Sequence, residues 1–227
     1  MRGRGSWASR VCAGVLFAAS VGCSGGKAEV KDAEVVVAER ELAERLPERS
    51  DYVARLSNPD CVRWKGYKET GAHLGGFEQC VGFMSFDAAD TLRAVEVEVD
   101  VSSLITDYDK LRQHLLSSDF LEVKRFPKAA FKSMAVRPLG DSEDGARYEI
   151  VGAMTIKGVT RRITVEATVA RVEGAWVARS EFTLPRFDYG ITYVGKADDE
   201  IHDDVNMVIE LEAPYDPSGL VAEEVGP

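Results

Sequence analysis

The 227-residue chain has only three histidines and four cysteines, and its 28 basic side chains are outnumbered by 38 acidic ones. The scattered histidines and cysteines match no zinc-ligand spacing. The formal net charge of −10 argues against non-specific nucleic-acid binding, since a phosphate backbone would be repelled. No basic stripe interleaved with aromatics offsets that charge. Neither a Gly-x-Ser-x-Gly elbow nor a glycine-rich phosphate loop occurs. What is present is ordinary for a globular protein, with 45% hydrophobic and 29% charged residues, so wholesale disorder is excluded too. The length suits one sizeable core, and an all-β barrel of this size is normally one domain.

The first 23 residues read as a targeting segment. Arg2, Arg4 and Arg10 form a positive n-region, and Val11 to Ala19 is an apolar stretch too short to span a membrane as a helix. Ser20 and Gly22 then lead to Cys23. This resembles a bacterial lipoprotein signal, in which the cysteine is acylated and becomes the mature N-terminus, although Ser20 stands where leucine is usual. The resemblance implies a periplasm-facing lipoprotein of the cell envelope, anchored through Cys23. An ordinary secretory signal, giving a soluble periplasmic or secreted protein, is the alternative. Export also sets an oxidising context for the other cysteines. Cys61 and Cys80 lie symmetrically about the Thr70–Gly71 step, so a tight hairpin there would place them opposite one another and within bridging distance. A disulfide is expected; two buried free thiols are the alternative.

Four regions follow: the leader 1–23, a charged linker or marginal helix 24–58, a β-rich domain 59–214 and a tail 215–227. In the domain, Val95, Val97, Val99 and Val101 share one face of a strand, and Glu96, Glu98 and Asp100 share the other. That period of two predicts a sheet with one dry and one wet side. A first hairpin is expected from Cys61 to Glu69 and Gly76 to Phe86, turning at Gly71, Gly75 and Gly76. Thr106 caps an expected helix from Asp107 to about Ser117. Strands follow over Ala129–Pro138, Arg147–Lys157, Thr160–Val172, Trp176–Leu184 and Asp204–Ala213, with turns at Lys157–Gly158–Val159 and Glu173–Gly174. About eight hairpin-linked strands and one helix fit either a closed barrel or a two-sheet sandwich.

Several ordered motifs decide between them by resemblance. They are His114-Leu115-x-x-Ser118-Asp119-Phe120 with Phe126-Pro127 and Phe131-x-Ser133, then Thr155-Ile-Lys-Gly-Val-Thr160, Phe187-Asp-Tyr-Gly-Ile191 and Ile201-x-Asp203-Asp204-Val205. With Trp64-x-Gly66-Tyr67-Lys68 upstream, the stretch Cys61–Ala213 resembles the YceI-like family of periplasmic polyisoprenoid-binding proteins. The resemblance implies an all-β, eight-stranded antiparallel lipocalin-like barrel around an apolar tunnel, with no cofactor other than a bound polyisoprenoid. An isoprenoid quinone or a polyprenyl phosphate would be its ligand. A membrane redox or envelope protein as partner, and a homodimer, are compatible with it. Leu121 departs from the family's usual second phenylalanine but keeps the apolar character.

Catalytic groups are sparse. His114 has Ser117, Ser118 and Asp119 nearby, but all belong to one short segment, whereas a triad needs groups converging from different elements. The acidic residues Asp198, Asp199, Glu200, Asp203 and Asp204 lack the calcium-loop pattern and read as a solvated loop. Binding is therefore expected rather than catalysis. By alternation Trp64, Met154 and Ile156 face inward, and Leu111, Leu115 and Phe120 cover one end of the barrel. Tyr67, Phe77, Phe126, Phe182, Phe187 and Tyr193 complete the expected lining, with Lys68, His114 and Arg186 as candidate head-group contacts. Two rivals stay open: a packed barrel acting as a protein-interaction module, and an enzyme on an amphiphile.

Overall fold

The structure, a computed structural model, describes residues 52–215. The expected leader, its acyl site Cys23, most of the expected linker and the tail beyond Tyr215 lie outside the described residues. Within them are twelve strands and one short α-helix. β1 (Tyr52–Arg55) is followed by β2 (Val62–Lys68) and β3 (Gly71–Phe77), then by β4 (Cys80–Phe86) and β5 (Leu92–Asp100). β6 (Leu104–Thr106) precedes α1 (Asp109–Leu115). β7 (Lys128–Ser142), β8 (Gly145–Ile156), β9 (Val159–Val172) and β10 (Ala175–Pro185) form a long meander. β11 (Gly195–Lys196) and β12 (Asp199–Pro214) complete the set.

One antiparallel sheet, in the order β1-β4-β5-β7-β8-β9-β10-β12-β2-β3-β6 with β11 beside β12, curls around an apolar interior. The expected all-β barrel class holds, but the strand count is twelve rather than eight. β1, β6 and β11 have two to four residues each, too few for a visible alternation. β1 lies in the stretch expected as linker and pairs there with β4, Tyr52 opposite Phe86. β5 shows the alternation at its clearest. Val95, Val97 and Val99 are buried, while Glu96 and Glu98 meet Lys132 and Lys128 across the wet face. The β8–β9 hairpin turns on Lys157–Gly158, both at positive φ, as the twist of a two-residue hairpin requires.

The expected first hairpin needs correction. β2 pairs with β3, Lys68 opposite Gly71, so the turn is Glu69–Thr70 and the three glycines expected as turn residues lie inside β3. Gly75 is required there because the Trp64 indole lies across it; a Cβ would sit 2.2 Å from Trp64 Cζ2. The chain then leaves the hairpin, and Cys80 opens β4 at the other end of the sheet order. The Cys61–Cys80 disulfide does form. It joins the two margins of the curled sheet rather than two partners in a hairpin. Residues 56–59 lie along the same seam: Leu56 N–H donates to Gly82 O and Cys80 N–H to Pro59 O. On the other side Ser57 N–H donates to Glu212 O, and Asn58 exchanges hydrogen bonds of 2.7 and 2.8 Å with Glu210 and Glu212.

Two further features position the site. The helix starts two residues later than expected, because pairing with Gly75 holds Thr106 in β6. Its hydroxyl donates to Leu74 O and to Asp107 Oδ1 instead of capping the helix. β9 and β10 stay paired only as far as Thr168 opposite Arg179 and then diverge. A 3-10 turn, Arg186–Tyr189, packs at this split together with Ile191, and Arg161 Nε donates to Asp188 O at 3.1 Å. Tyr189 is fully buried there.

Candidate ligand tunnel

The barrel encloses a tunnel of about 520 Å³, inside the roughly 300–1,000 Å³ range of pockets that enclose small ligands. Its walls are the inward faces of the strands: Val95, Val97 and Val99 from β5, Ile163 and Val165 from β9, and Val205, Met207 and Ile209 from β12. At one end an aromatic plug adjoins the lining residues Leu92, Ala178 and Leu211. Phe86 stacks on Trp176 with ring centroids 4.1 Å apart, and Tyr52 stacks on Phe86. The Trp176 indole donates to Tyr52 Oη at 2.6 Å, and Tyr52 donates to Asp90. Burial pushes the Tyr52 phenol well above its ordinary range, with Asp90 adding to the shift, so it stays a neutral donor.

The opposite end is open and polar. α1 and the residues following it form one side of the mouth. The His114 ring meets Phe120 and Tyr193 edge-on, each at 4.9 Å, and its Nε2 lies 3.1 Å from Asp119 Oδ2. On the other side Lys68 pairs with Asp199, which also accepts from the Thr70 backbone N–H and hydroxyl. These bonds, that from Lys68 foremost, hold the Asp199 carboxyl below the usual carboxylate range. His73 is paired with Asp107 at 2.9 Å, and its ring meets the exposed Tyr108.

Most residues expected from sequence converge here. Trp64, Tyr67, Phe77, Leu111, Leu115, Phe120, Met154, Ile156, Phe182 and Tyr193 all line the tunnel, as do Lys68, His114 and Arg186. Two expected lining residues do not. Phe187 is 41% exposed beneath the Arg186 guanidinium, and Phe126 packs against Gly158 and Arg125 outside the tunnel. In each case the neighbouring turn aims the ring away from the barrel interior.

Arg186, expected at the head group, has a different task. It is 4% exposed, and its guanidinium donates to the carbonyls of His202 (2.9 Å), Ile191 (2.6 Å) and Ile201 (2.9 Å). Burial lowers its pKa, and Asp203 opposes that shift. It brackets the loop that carries Tyr193 to the start of β12. The acidic residues expected as a solvated cluster are dispersed: Asp199 serves Lys68 and Thr70, and Asp203 accepts from Phe187 N–H. Ser117, the hydroxyl nearest His114 in sequence, donates to the His114 carbonyl rather than facing its imidazole. The mouth therefore shows hydrogen-bonding groups without a nucleophile–base pair.

Comparison with known proteins agrees with this geometry. The family described as "YceI-like domain" matches residues 60–213. The chain belongs to the YceI-like family. Protein YceI of Escherichia coli is 30% identical over 149 residues, 61% of this chain and 72% of that protein. A UPF0312 protein of Pseudomonas fluorescens is 38% identical over 96 residues, 41% of this chain, so the match spans about half the length of that relative, 48%. Among solved structures, Burkholderia cenocepacia BcnA superposes with a TM-score of 0.57 at 22% identity, over 68% of this chain and 96% of that one. A polyisoprenoid binding domain from Saccharophagus degradans superposes with a TM-score of 0.58 at 14% identity, over 73% and 99%. Both share the fold. The YceI-like match starts at Asp60, so β1 stands outside it.

The plug residues Tyr52, Phe86 and Trp176 were not singled out from sequence. The one available signal was Trp176, two residues after the Glu173–Gly174 turn and therefore at a barrel end. Tyr189 and Ile191 were visible as part of a motif, but nothing local shows that β9 and β10 separate beside them.

Proposed function

We propose that the tunnel holds the apolar chain of a polyisoprenoid lipid, tail toward the plug and head at the mouth, and that the protein sequesters or carries it in the cell envelope. The observation that carries this reading is the tunnel itself, walled mainly by apolar side chains, with Lys68, His73, His114 and Asp199 gathered at its mouth. A packed interior would favour a protein-interaction module, and 520 Å³ of enclosed space speaks against it. The polyisoprenoid binding domain from Saccharophagus degradans supports the choice of ligand class.

The energetics suit a prenyl chain of moderate length. Burial contributes about 0.8 kcal/mol per carbon, or about 4 kcal/mol per five-carbon isoprene unit. Immobilising the ligand costs on the order of 4–15 kcal/mol, so about three or four units suffice for tight binding. Anchoring through an acylated Cys23 belongs to the same proposal and would keep the carrier at its lipid source. Its test is mass spectrometry of the mature N-terminus.

The central experiment is mild purification followed by organic extraction and mass spectrometry. A reproducible prenyl species, and uptake of added geranylgeraniol that Met154→Trp abolishes in a folded variant, are expected. A lipid-free protein that takes up no prenyl chain refutes the reading.

A further inference from the structure

The apolar side chains that reach the surface are not spread evenly. Eight large ones are exposed among the described residues, and five of them belong to the mouth end: Leu74, Ile105, Tyr108, Phe187 and Val194. Leu74, 61% exposed, and Ile105 are diagonal neighbours on the outer face of the β3–β6 pair, since Ile105 lies opposite Gly76. Tyr108, 50% exposed, precedes α1, its ring 5.6 Å from that of His73. Phe187 and Val194 come from the stretch between β10 and β12, each following a tunnel-lining residue, Arg186 and Tyr193. The far end carries only Leu139 and Val172, toward the turns at 143–144 and Glu173–Gly174, and Val81 stands alone on β4.

The exposed charges on this rim are mixed. Asp109, Asp198 and Glu200 stand there with Lys110 and Lys196, so the rim offers an anionic surface no surplus of cations. Exposed aliphatic side chains, a tyrosine at their edge and no net positive charge match the interface of a zwitterionic bilayer, where such side chains settle among the head groups. We propose that the mouth end docks onto a lipid bilayer, with Leu74, Ile105, Tyr108, Phe187 and Val194 in the interface. The tunnel and the membrane then form one continuous apolar path. The choice of a bilayer as occupant rests on the reading above that the tunnel holds a prenyl tail. A tail passing through a water-filled mouth would expose its methylenes on the way, and contact at the rim removes that exposure.

The test is amide hydrogen exchange of the full chain with and without protein-free phosphatidylcholine vesicles that hold no prenyl lipid. The pattern along the chain is the readout, because an anchor at Cys23 would attach the protein without the rim. Exchange over 105–110 and 192–198 is expected to slow at least about threefold, with the turns at 143–144 and 173–174 unchanged. Leu74→Glu with Val194→Glu should abolish the slowing and leave geranylgeraniol uptake as it was, since neither side chain lines the tunnel. Leu139→Glu with Val172→Glu, at the far end, should keep it. No slowing at the rim, or slowing that survives Leu74→Glu with Val194→Glu, overturns the proposal. Slowing that needs phosphatidylglycerol overturns it too, because charge would then be the attraction. Rim protection that grows with protein concentration alone assigns the face to a second copy, and protection seen only with added envelope proteins assigns it to a protein partner; either overturns the bilayer. Uptake of geranylgeraniol without rim protection refutes docking and leaves the tail-binding reading intact, whereas rim protection without uptake does the reverse.

Discussion

Removing the Arg186 guanidinium should destabilise the protein and loosen the mouth in one step. Arg186→Met keeps the aliphatic stem but leaves three carbonyl oxygens, those of Ile191, Ile201 and His202, without their donor. A buried acceptor left unpaired costs about 1–3 kcal/mol. Relief from burying the cation offsets part of the sum, and water reaching the mouth satisfies some of the rest. The expected net loss is about 3 kcal/mol, a large share of the roughly 5–15 kcal/mol of a typical domain. With a urea dependence of about 2 kcal/mol per molar, the unfolding midpoint should fall by about 1.5 M. Arg186→Lys should recover less than half, because an ammonium cannot reproduce the planar fork that meets three carbonyls. A midpoint shift under about 0.3 M in Arg186→Met, or complete rescue by lysine, would show that the bracket does not hold the loop.

The double substitution Cys61→Ala with Cys80→Ala opens a 19-residue loop and should cost about 3 kcal/mol by chain entropy; a loss below about 1 kcal/mol in denaturant titrations contradicts a role at the seam. Gly75→Ala places a Cβ 2.2 Å from Trp64 Cζ2 and 2.4 Å from Ile105 O, so a loss of at least about 2 kcal/mol and a shifted tryptophan emission are expected; wild-type emission and stability would refute the close packing. Asp199 is held below its ordinary value of 3.8 by hydrogen bonds from Lys68 and then Thr70, and Asp107 by those from Thr106 and then His73. The unfolded chain therefore binds more protons, so stability is complete above the ordinary carboxylate range and is lost as pH falls through it. Melting temperatures should drop in that acidic window, and less so in the Asp107→Asn, Asp199→Asn double variant; an unchanged slope refutes the assignment.

The parts of the fold readable in advance are those where local pattern and final environment coincide. β5 alternates because one of its faces lines the tunnel and the other meets water, and a period of two registers both facts. The Cys61–Cys80 pair was readable as well, but through a symmetry about Thr70–Gly71 that the chain does not use. The true turn lies one residue earlier, and β4 departs for the far margin of the sheet. Arg186 shows the opposite case. Its partners come from five to sixteen residues downstream, so no local signal separates a structural guanidinium from one waiting for an anion. Phe187 and Phe126 show the same limit, since a turn residue's direction depends on backbone that periodicity does not describe.

For a carrier of the proposed kind, a tunnel with its mouth at one end also imposes an order of events. On the proposed reading, a prenyl chain threads in at the mouth tail first and withdraws head first. The head is then the first part an acceptor meets, and capturing it must precede delivery. Each methylene drawn back into water before release costs about 0.8 kcal/mol, slowing escape roughly fourfold. Residence time should therefore grow geometrically with tail length, while the rate of handover depends on whatever grips the head.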